Sequence, residues 1–250
     1  MRVTNGLTVV ICLFPCWNAC GADPKPEEIK GLTDKLVSAN PEPPRVKEPY
    51  WVAERFPLKF PDGFDPRRQT AMAKVMDQIS EIGPAAFPEL IERFDDDRYS
   101  ITTESQLSGA PYNWTVGEVC RGIIEAQVQP CSSWCKCDDD PRGYPRRPNF
   151  FKDILDSKKE AAAWWTRNKG RSLQQIQLEA LDWVIAEEAK YKPEEGRRGY
   201  PEVEKAHLQG LRKEIAAGKV SRMGLGGYRA ISIMSPRDFP KAAWKVKDEK

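Results

Sequence analysis

Short apolar stripes at helical spacing, most of them ended by glycine or proline, constrain this chain more than any other feature of its sequence. Asp65-Pro66 has the form of an N-cap followed by proline in the first turn, and Gly83-Pro84 ends the helix that this cap begins. Apolar residues recur between them at intervals of three and four: Met72, Val75, Met76, Ile79 and Ile82. A second stripe follows at once: Phe87, Leu90, Ile91 and Phe94. Because each stripe must be buried, we predict an αα-hairpin over residues 66–94.

Further stripes continue the helical pattern. A polar stretch without a predicted element runs from Asp95 to Asn113, and Thr115-Val-Gly-Glu118 then matches a capping box before a helix over 116–128. A second hairpin is predicted from residues 152–167 and 172–190, with Gly170 between its helices. A last helix is predicted from Pro201 to Gly218. The fold class is therefore mainly α.

The residues before this helical part are rich in proline. Nine prolines lie between Pro24 and Pro66, and proline has no amide hydrogen and restricts the residue before it. We expect one short helix over residues 27–37 and an otherwise extended arm. Four aromatic residues predict that this arm packs onto the core: Tyr50, Trp51, Phe56 and Phe60.

The first residues have the layout of a secretory signal peptide. Arg2 is the only charge before Asp23, Leu7 to Phe14 is apolar, and the small residues Ala19 and Gly21 follow. We predict cleavage near residue 21 and export, either to a periplasm or to the outside. A lipid anchor through Cys20 is the alternative. No later run is long enough to span a membrane.

The helix pairs with tight turns and Asp-rich ends resemble HEAT-type repeats, the helix-pair units of α-solenoids. The resemblance rests on residues 65–97 and 154–190, about a third of the chain. It implies αα-hairpins stacked in a short HEAT-like array whose surface binds other macromolecules without catalytic residues. Together with the arm and a cysteine-containing loop, the chain looks like uncharacterised exported bacterial proteins with HEAT-like helices. The domains expected are a signal peptide (1–21), an extended arm (22–64), a helical domain (65–217) and a basic tail (218–250).

Four cysteines remain after the signal peptide. Cys120 lies on a helical stripe, and Cys131, Cys135 and Cys137 lie in the loop between residues 130 and 149. In an oxidising compartment they predict two structural disulfides, for example Cys120–Cys137 with Cys131–Cys135. Zinc held by four thiolates is one alternative, and one disulfide with free or buried thiols is the other. The spacing matches neither a haem attachment site nor a thioredoxin-like pair, and we predict no cofactor.

A basic patch follows the cysteines in the same loop. It consists of Arg142, Tyr144, Arg146 and Arg147. Guanidinium groups beside aromatic rings suit phosphate or sugar polymers, but these arginines also offset the three aspartates at 138–140. The whole chain carries a net charge of only +2, so we do not expect nucleic acid as the partner.

Two functions remain open. The first is a non-catalytic interaction module that binds a protein or a polymer, and the second is an exported hydrolase with paired carboxylates roughly 5–10 Å apart. A deep pocket with converging carboxylates and shifted pKa values favours the hydrolase. A shallow groove with exposed aromatic residues and arginines favours the module, which is our prediction. We expect Trp164, Trp165 and Trp183 in the core and His207 at the surface.

Overall fold

The computed structural model describes residues 24–44, 60–104, 111–129, 150–190 and 201–219. This part of the chain is mainly helical, as the apolar stripes predicted. In chain order the elements are α1 (Pro26–Asp34), α2 (Pro66–Ile82), a 3-10 turn (Gly83–Ala86), α3 (Phe87–Glu92), β1 (Tyr99–Glu104), β2 (Pro111–Thr115), α4 (Val116–Val128), α5 (Lys158–Asn168), α6 (Leu173–Glu188) and α7 (Pro201–Ala216). Among these helices, none combines the length and the apolar character that a membrane crossing needs.

The predicted helix starts are confirmed by their hydrogen bonds. The Asp65 carboxylate accepts from the amide of Arg67 at 2.9 Å, and Pro66 occupies the first turn of α2. At the start of α4, the Thr115 hydroxyl accepts from the Glu118 amide at 3.2 Å, and the Glu118 carboxylate accepts from the Thr115 amide at 2.8 Å. Ser172 and Gln175 form the same reciprocal pair at the start of α6. These bonds satisfy amide groups that a helix leaves without partners.

The helices predicted over residues 66–94 and their short connection lie where the stripes placed them. Gly83 ends α2 with a φ of 71°, a conformation that costs glycine little. However, α3 is only six residues long, and its main neighbours among the helices are α1, α4 and α5, so it does not pack chiefly against α2 as the predicted αα-hairpin requires. Phe87, Leu90 and Ile91 are buried in this position. The short helix therefore lies within the core of the described residues.

The polar stretch after α3 contains a β-hairpin that we did not predict. β1 and β2 pair antiparallel, with Thr102 opposite Asn113 and Thr103 opposite Tyr112. The Thr102 hydroxyl donates to the Asn113 side-chain oxygen at 2.8 Å, and the Trp114 indole donates to Thr103 at the same distance. Both strands alternate apolar and polar residues over four positions, Tyr99-Ser-Ile-Thr102 and Tyr112-Asn-Trp-Thr115, and they are rich in the β-branched and aromatic residues that favour such pairing. The expectation of a stretch without an element was therefore wrong.

The helix predicted over residues 152–167 begins later than we expected. Residues 150–156 form turns, and α5 begins at Lys158 because Ser157 caps it, with its hydroxyl accepting from the Glu160 amide at 3.2 Å. Asp153 adopts a φ of 66°, which a continuous helix excludes. Phe150, Phe151 and Leu155 still reach the core from these turns.

The core surrounds α4, which packs against α2, α3, α6 and both strands. Among the residues that the structure describes, the largest fully buried side chains are Leu36, Met76, Ile79, Phe87, Leu90, Ile101, Ile123, Ile124, Phe151, Ile176, Leu181 and Ile215. Gly117, in the first turn of α4, lies directly against the backbone of residues 93–94. α4 is thus the element that joins the first helices and the hairpin to α6.

The described part of the proline-rich arm contacts the helical domain. α1 spans Pro26–Asp34, close to the predicted short helix. Asn40 is buried, and its side-chain oxygen accepts from the Asp65 amide at 2.8 Å. Phe60 stacks on Phe64 with ring centroids 4.4 Å apart. The other aromatic anchors proposed for the arm, Tyr50, Trp51 and Phe56, lie outside the described residues.

Candidate functional site

An open groove of about 610 Å³ lies over α6 and α7. Most of its lining comes from one face of α6, where residues three, four and seven apart share a side of the helix. α7 contributes one side chain, and the turn before α6 contributes another. The residues that matter chemically are Arg171, Gln175, Glu179, Asp182, Trp183 and Arg212.

The groove has a rigid floor because α6 and α7 are tied together. The Gln174 side-chain amide in the first turn of α6 donates to the Ile215 carbonyl in the last turn of α7 at 2.6 Å. Leu208 and Ile215 of α7 are buried, and Ile176, Ala180 and Leu181 bury the opposite face of α6. The two helices therefore run in opposite directions, and the polar face of α6 is turned outward.

Trp183 stands out on this outward face. Its side chain is 38% exposed, and only Tyr112, at 47%, is a more exposed large hydrophobic residue among those the structure describes. The ring of Phe150 packs edge-on against its indole, with centroids 5.8 Å apart, and so limits its movement. A core position was correct for Trp164, which is 3% exposed, but wrong for Trp183. The reason is that Trp183 lies off the apolar stripe of α6.

Two ion pairs line the same groove as this tryptophan. Arg212 forms two hydrogen bonds with the carboxylate of Asp182. Its Nε donates to Oδ1, and its Nη2 donates to Oδ2 at 2.9 Å. Arg171 pairs with Glu179 and also donates to the Gln175 carbonyl at 3.1 Å. The hydrogen bond with Asp182 raises the pKa of Arg212, so this guanidinium stays charged. The four charges cancel, and the groove as a whole is neutral.

Outside the groove, Glu125 on α4 is the one carboxyl group in the described part of the chain whose pKa is raised. Burial is the main cause; the nearby Arg121 opposes it and the like charge of Asp156 adds to it. A carboxyl group with a raised pKa is suited to hold a proton for acid catalysis. Within the described residues, no cluster of three histidine, cysteine or carboxylate side chains is placed to bind a metal.

Cys120 is the one predicted site residue that the structure describes. Its side chain is fully buried on α4 as a free thiol, and burial raises the pKa of this thiol to about 12. The other residues proposed as disulfide or metal ligands, Cys131, Cys135 and Cys137, lie outside the described residues, so their pairing stays a prediction. The same holds for the basic patch: Arg142, Tyr144, Arg146 and Arg147.

Sequence reasoning missed the groove, although part of its signal is visible. Gln175, Glu179 and Asp182 recur at helical spacing on α6, and Trp183 stands next to this polar face. Arg212 carries no such signal, because it reaches Asp182 only through the packing of α7 against α6. His207 is exposed, as predicted.

No family model, curated protein or solved structure matches this chain. Two features of the described residues thus bear on function. One is the neutral groove over α6 and α7 with its exposed tryptophan. The other is the half-buried Glu125 with its raised pKa.

Proposed function

We propose that this chain is an exported, non-catalytic helical interaction module that binds a protein or polymer partner through the groove over α6 and α7. In this proposal the residues before 22 direct export, and the helix pairs form a short HEAT-like array behind the groove. The observation that carries the proposal is the open groove, which is lined by the exposed Trp183 and by two arginine–carboxylate pairs. An exposed aromatic ring and arginines are side chains that contribute strongly to binding in interfaces.

The form of the groove also supports binding over catalysis. It is open, and its two carboxylates, Glu179 and Asp182, are each paired with an arginine. A hydrolase of this kind needs two carboxylates that face each other across the substrate. Glu179 and Asp182 each face an arginine instead, so the groove offers contacts to a partner.

Photo-crosslinking tests this proposal. A photoreactive residue at position 178, in the groove, is compared with one at position 78, on the exposed face of α2, in cells that produce and export the chain. We expect a heavier adduct, with protein or with polymer, from position 178 alone. Trp183→Ala in the same chain should abolish it. Equal adducts from both positions, or none from position 178, would refute the proposal.

The raised pKa of Glu125 favours the second function, an exported hydrolase. Asp156 is the neighbouring carboxylate that would complete a pair with Glu125. Glu125→Gln keeps the shape of the side chain and removes the titrating proton. If the chain cleaves a polysaccharide, this variant should lose that activity; if it is a binding module, the adduct from position 178 should be unchanged in it.

A further inference from the structure

We propose that the groove over α6 and α7 binds an uncharged glycan, with a sugar ring on Trp183 and its hydroxyl groups between the two ion pairs. The inference rests on the proposed function and names the chemistry of the partner. Three properties of the groove lead to it: the cancelling charges, the mixture of donors and acceptors, and the fixed aromatic face.

The charges select against a charged partner. A polyanion would meet the carboxylates of Glu179 and Asp182, and a polycation would meet the guanidinium groups of Arg171 and Arg212. Each of these groups is already paired within the groove, so a charged ligand would have to break a pair to gain one. An uncharged ligand meets neither repulsion. The groove is therefore matched to a neutral molecule.

The polar groups of the groove favour a ligand that carries hydroxyl groups. A carboxylate only accepts hydrogen bonds and a guanidinium group only donates them, whereas a hydroxyl does both. Arg212 uses Nε and one Nη2 bond for Asp182, which leaves further N–H donors for a ligand. Neighbouring hydroxyls of one sugar can thus accept from an arginine and donate to its carboxylate partner while the ion pair stays intact.

Trp183 supplies the apolar contact that such a ligand still needs. Sugar rings present a face of C–H groups, and a flat indole held at 38% exposure offers a surface that such a face can cover. The edge-on contact with Phe150 holds the ring before a ligand arrives, which lowers the entropic cost of binding.

The shape of the groove favours a chain of sugars over a small compact ligand or a protein. Its volume of about 610 Å³ is within the usual range for ligand sites, but it is open, so a ligand can extend beyond it. A protein partner would normally bury a larger apolar centre, whereas Trp183 and Leu178 are the apolar residues that line this groove. A protein or a peptide is thus a less suitable ligand for this groove than a chain of sugars.

Calorimetric titration of the full exported chain tests this inference. The probes are uncharged hexasaccharides of β-1,4-linked glucose, β-1,4-linked N-acetylglucosamine and α-1,4-linked glucose, with a galacturonic acid hexasaccharide as the charged control. We expect at least one uncharged probe to bind more tightly than the charged one. We also expect its Kd to change less than about twofold between about 50 and 500 mM NaCl, because no net charge is neutralised.

The variants identify the site. Trp183→Ala should weaken binding at least about tenfold, and Trp183→Phe should recover most of it, because a ring face is restored. Tyr112→Ala removes the other large exposed aromatic side chain of the described residues, which does not line the groove, and should leave the Kd unchanged. Asp182→Asn should weaken the uncharged probe and improve the charged one.

Failure of this inference is distinguishable from failure of the proposed function. If none of the uncharged probes binds, or if one binds Trp183→Ala as well as the parent chain, the inference is wrong. Preferred binding of the charged probe with strong salt dependence would also contradict it. If position 178 crosslinks to a protein while the glycans do not bind, the proposed function stands and the glycan inference falls.

Discussion

The backbone carbonyl oxygen of Phe94 lies 2.3 Å from the point where a Cβ atom on Gly117 would stand. The Gly117 amide donates to the Asp96 carbonyl at 2.9 Å in the same contact. α4 can therefore begin here only because residue 117 has no side chain. Because α4 contacts most of the other elements, this close approach supports the arrangement of the whole core.

Gly117→Ala should destabilise the protein by about 3 kcal/mol, since the atom it must displace belongs to the backbone and cannot turn aside. Gly31→Ala is the matched control, because a Cβ there meets nothing within 4 Å and alanine favours the helix. We expect this control to be neutral or slightly stabilising. Chemical denaturation of both variants measures the difference; a Gly117→Ala variant as stable as the parent would contradict the packing described for α4.

Gln69 connects α2 to the outer edge of the hairpin. It is 1% exposed, and its side-chain oxygen accepts from the Thr102 amide at 2.9 Å. Gln69→Ala leaves that amide without a partner and should cost about 1–3 kcal/mol of stability. Gln78→Ala, on the exposed face of the same helix, should cost almost nothing. Equal effects of the two substitutions in thermal melting would show that Gln69 does not hold the hairpin.

The thiol of Cys120 should be protected in the folded protein. Its side chain is fully buried, and burial raises its pKa to about 12, so almost no thiolate forms near neutral pH. Iodoacetamide should label this thiol only after the chain has been unfolded. No reductant is added, so that any disulfide stays intact. Mass spectrometry of the labelled peptide measures this. Rapid labelling in the native state would contradict the burial, and the absence of labelling after unfolding would show that Cys120 is in a disulfide.

Asp96 should make stability depend on pH in the acid range. The hydrogen bond from Arg98 lowers the pKa of Asp96 below its usual value of 3.8, and Arg93 adds a weaker attraction. The contribution is therefore present above pH 4 and is lost as the pH falls through the lowered pKa. Asp96→Asn should flatten the acid side of the stability curve between about pH 2 and pH 6.

The matched control for this effect is Asp97→Asn, because Asp97 is exposed in the same turn. It should leave the acid side of the curve unchanged. If the two substitutions flatten the curve equally, the pH dependence comes from the charge of the whole turn and not from the Arg98 contact.

Features that depend on residues close together in the sequence could be predicted, whereas features that depend on residues far apart in the sequence could not. The starts of α2, α4 and α6 were predictable because a cap involves residues two or three apart, such as Thr115 and Glu118. The β-hairpin was not predicted, although both strands alternate over four residues, because such short runs become stable strands only when they pair, as Thr102 does with Asn113.

The candidate groove also depends on residues that are far apart in the sequence. Asp182 and Arg212 are 30 residues apart, and they meet because α7 packs on α6. The exposure of Trp183 likewise depends on which face of α6 its neighbours cover, and an apolar residue in a helix would ordinarily be assigned to the core. Short-range patterns predict helices well, but a site made by two helices requires their packing.

The central claim, that a partner occupies the groove over α6 and α7, is tested most directly by the indole signals of the ¹⁵N-labelled chain. The indole signal of Trp183 is identified by its loss in Trp183→Phe. The signal of Trp114, whose indole donates a hydrogen bond to Thr103, serves as the internal reference. On addition of cell-envelope material from the producing cells, we predict that the Trp183 signal shifts or broadens while the Trp114 signal stays in place. An unchanged Trp183 signal, or an equal change in both, would contradict the claim.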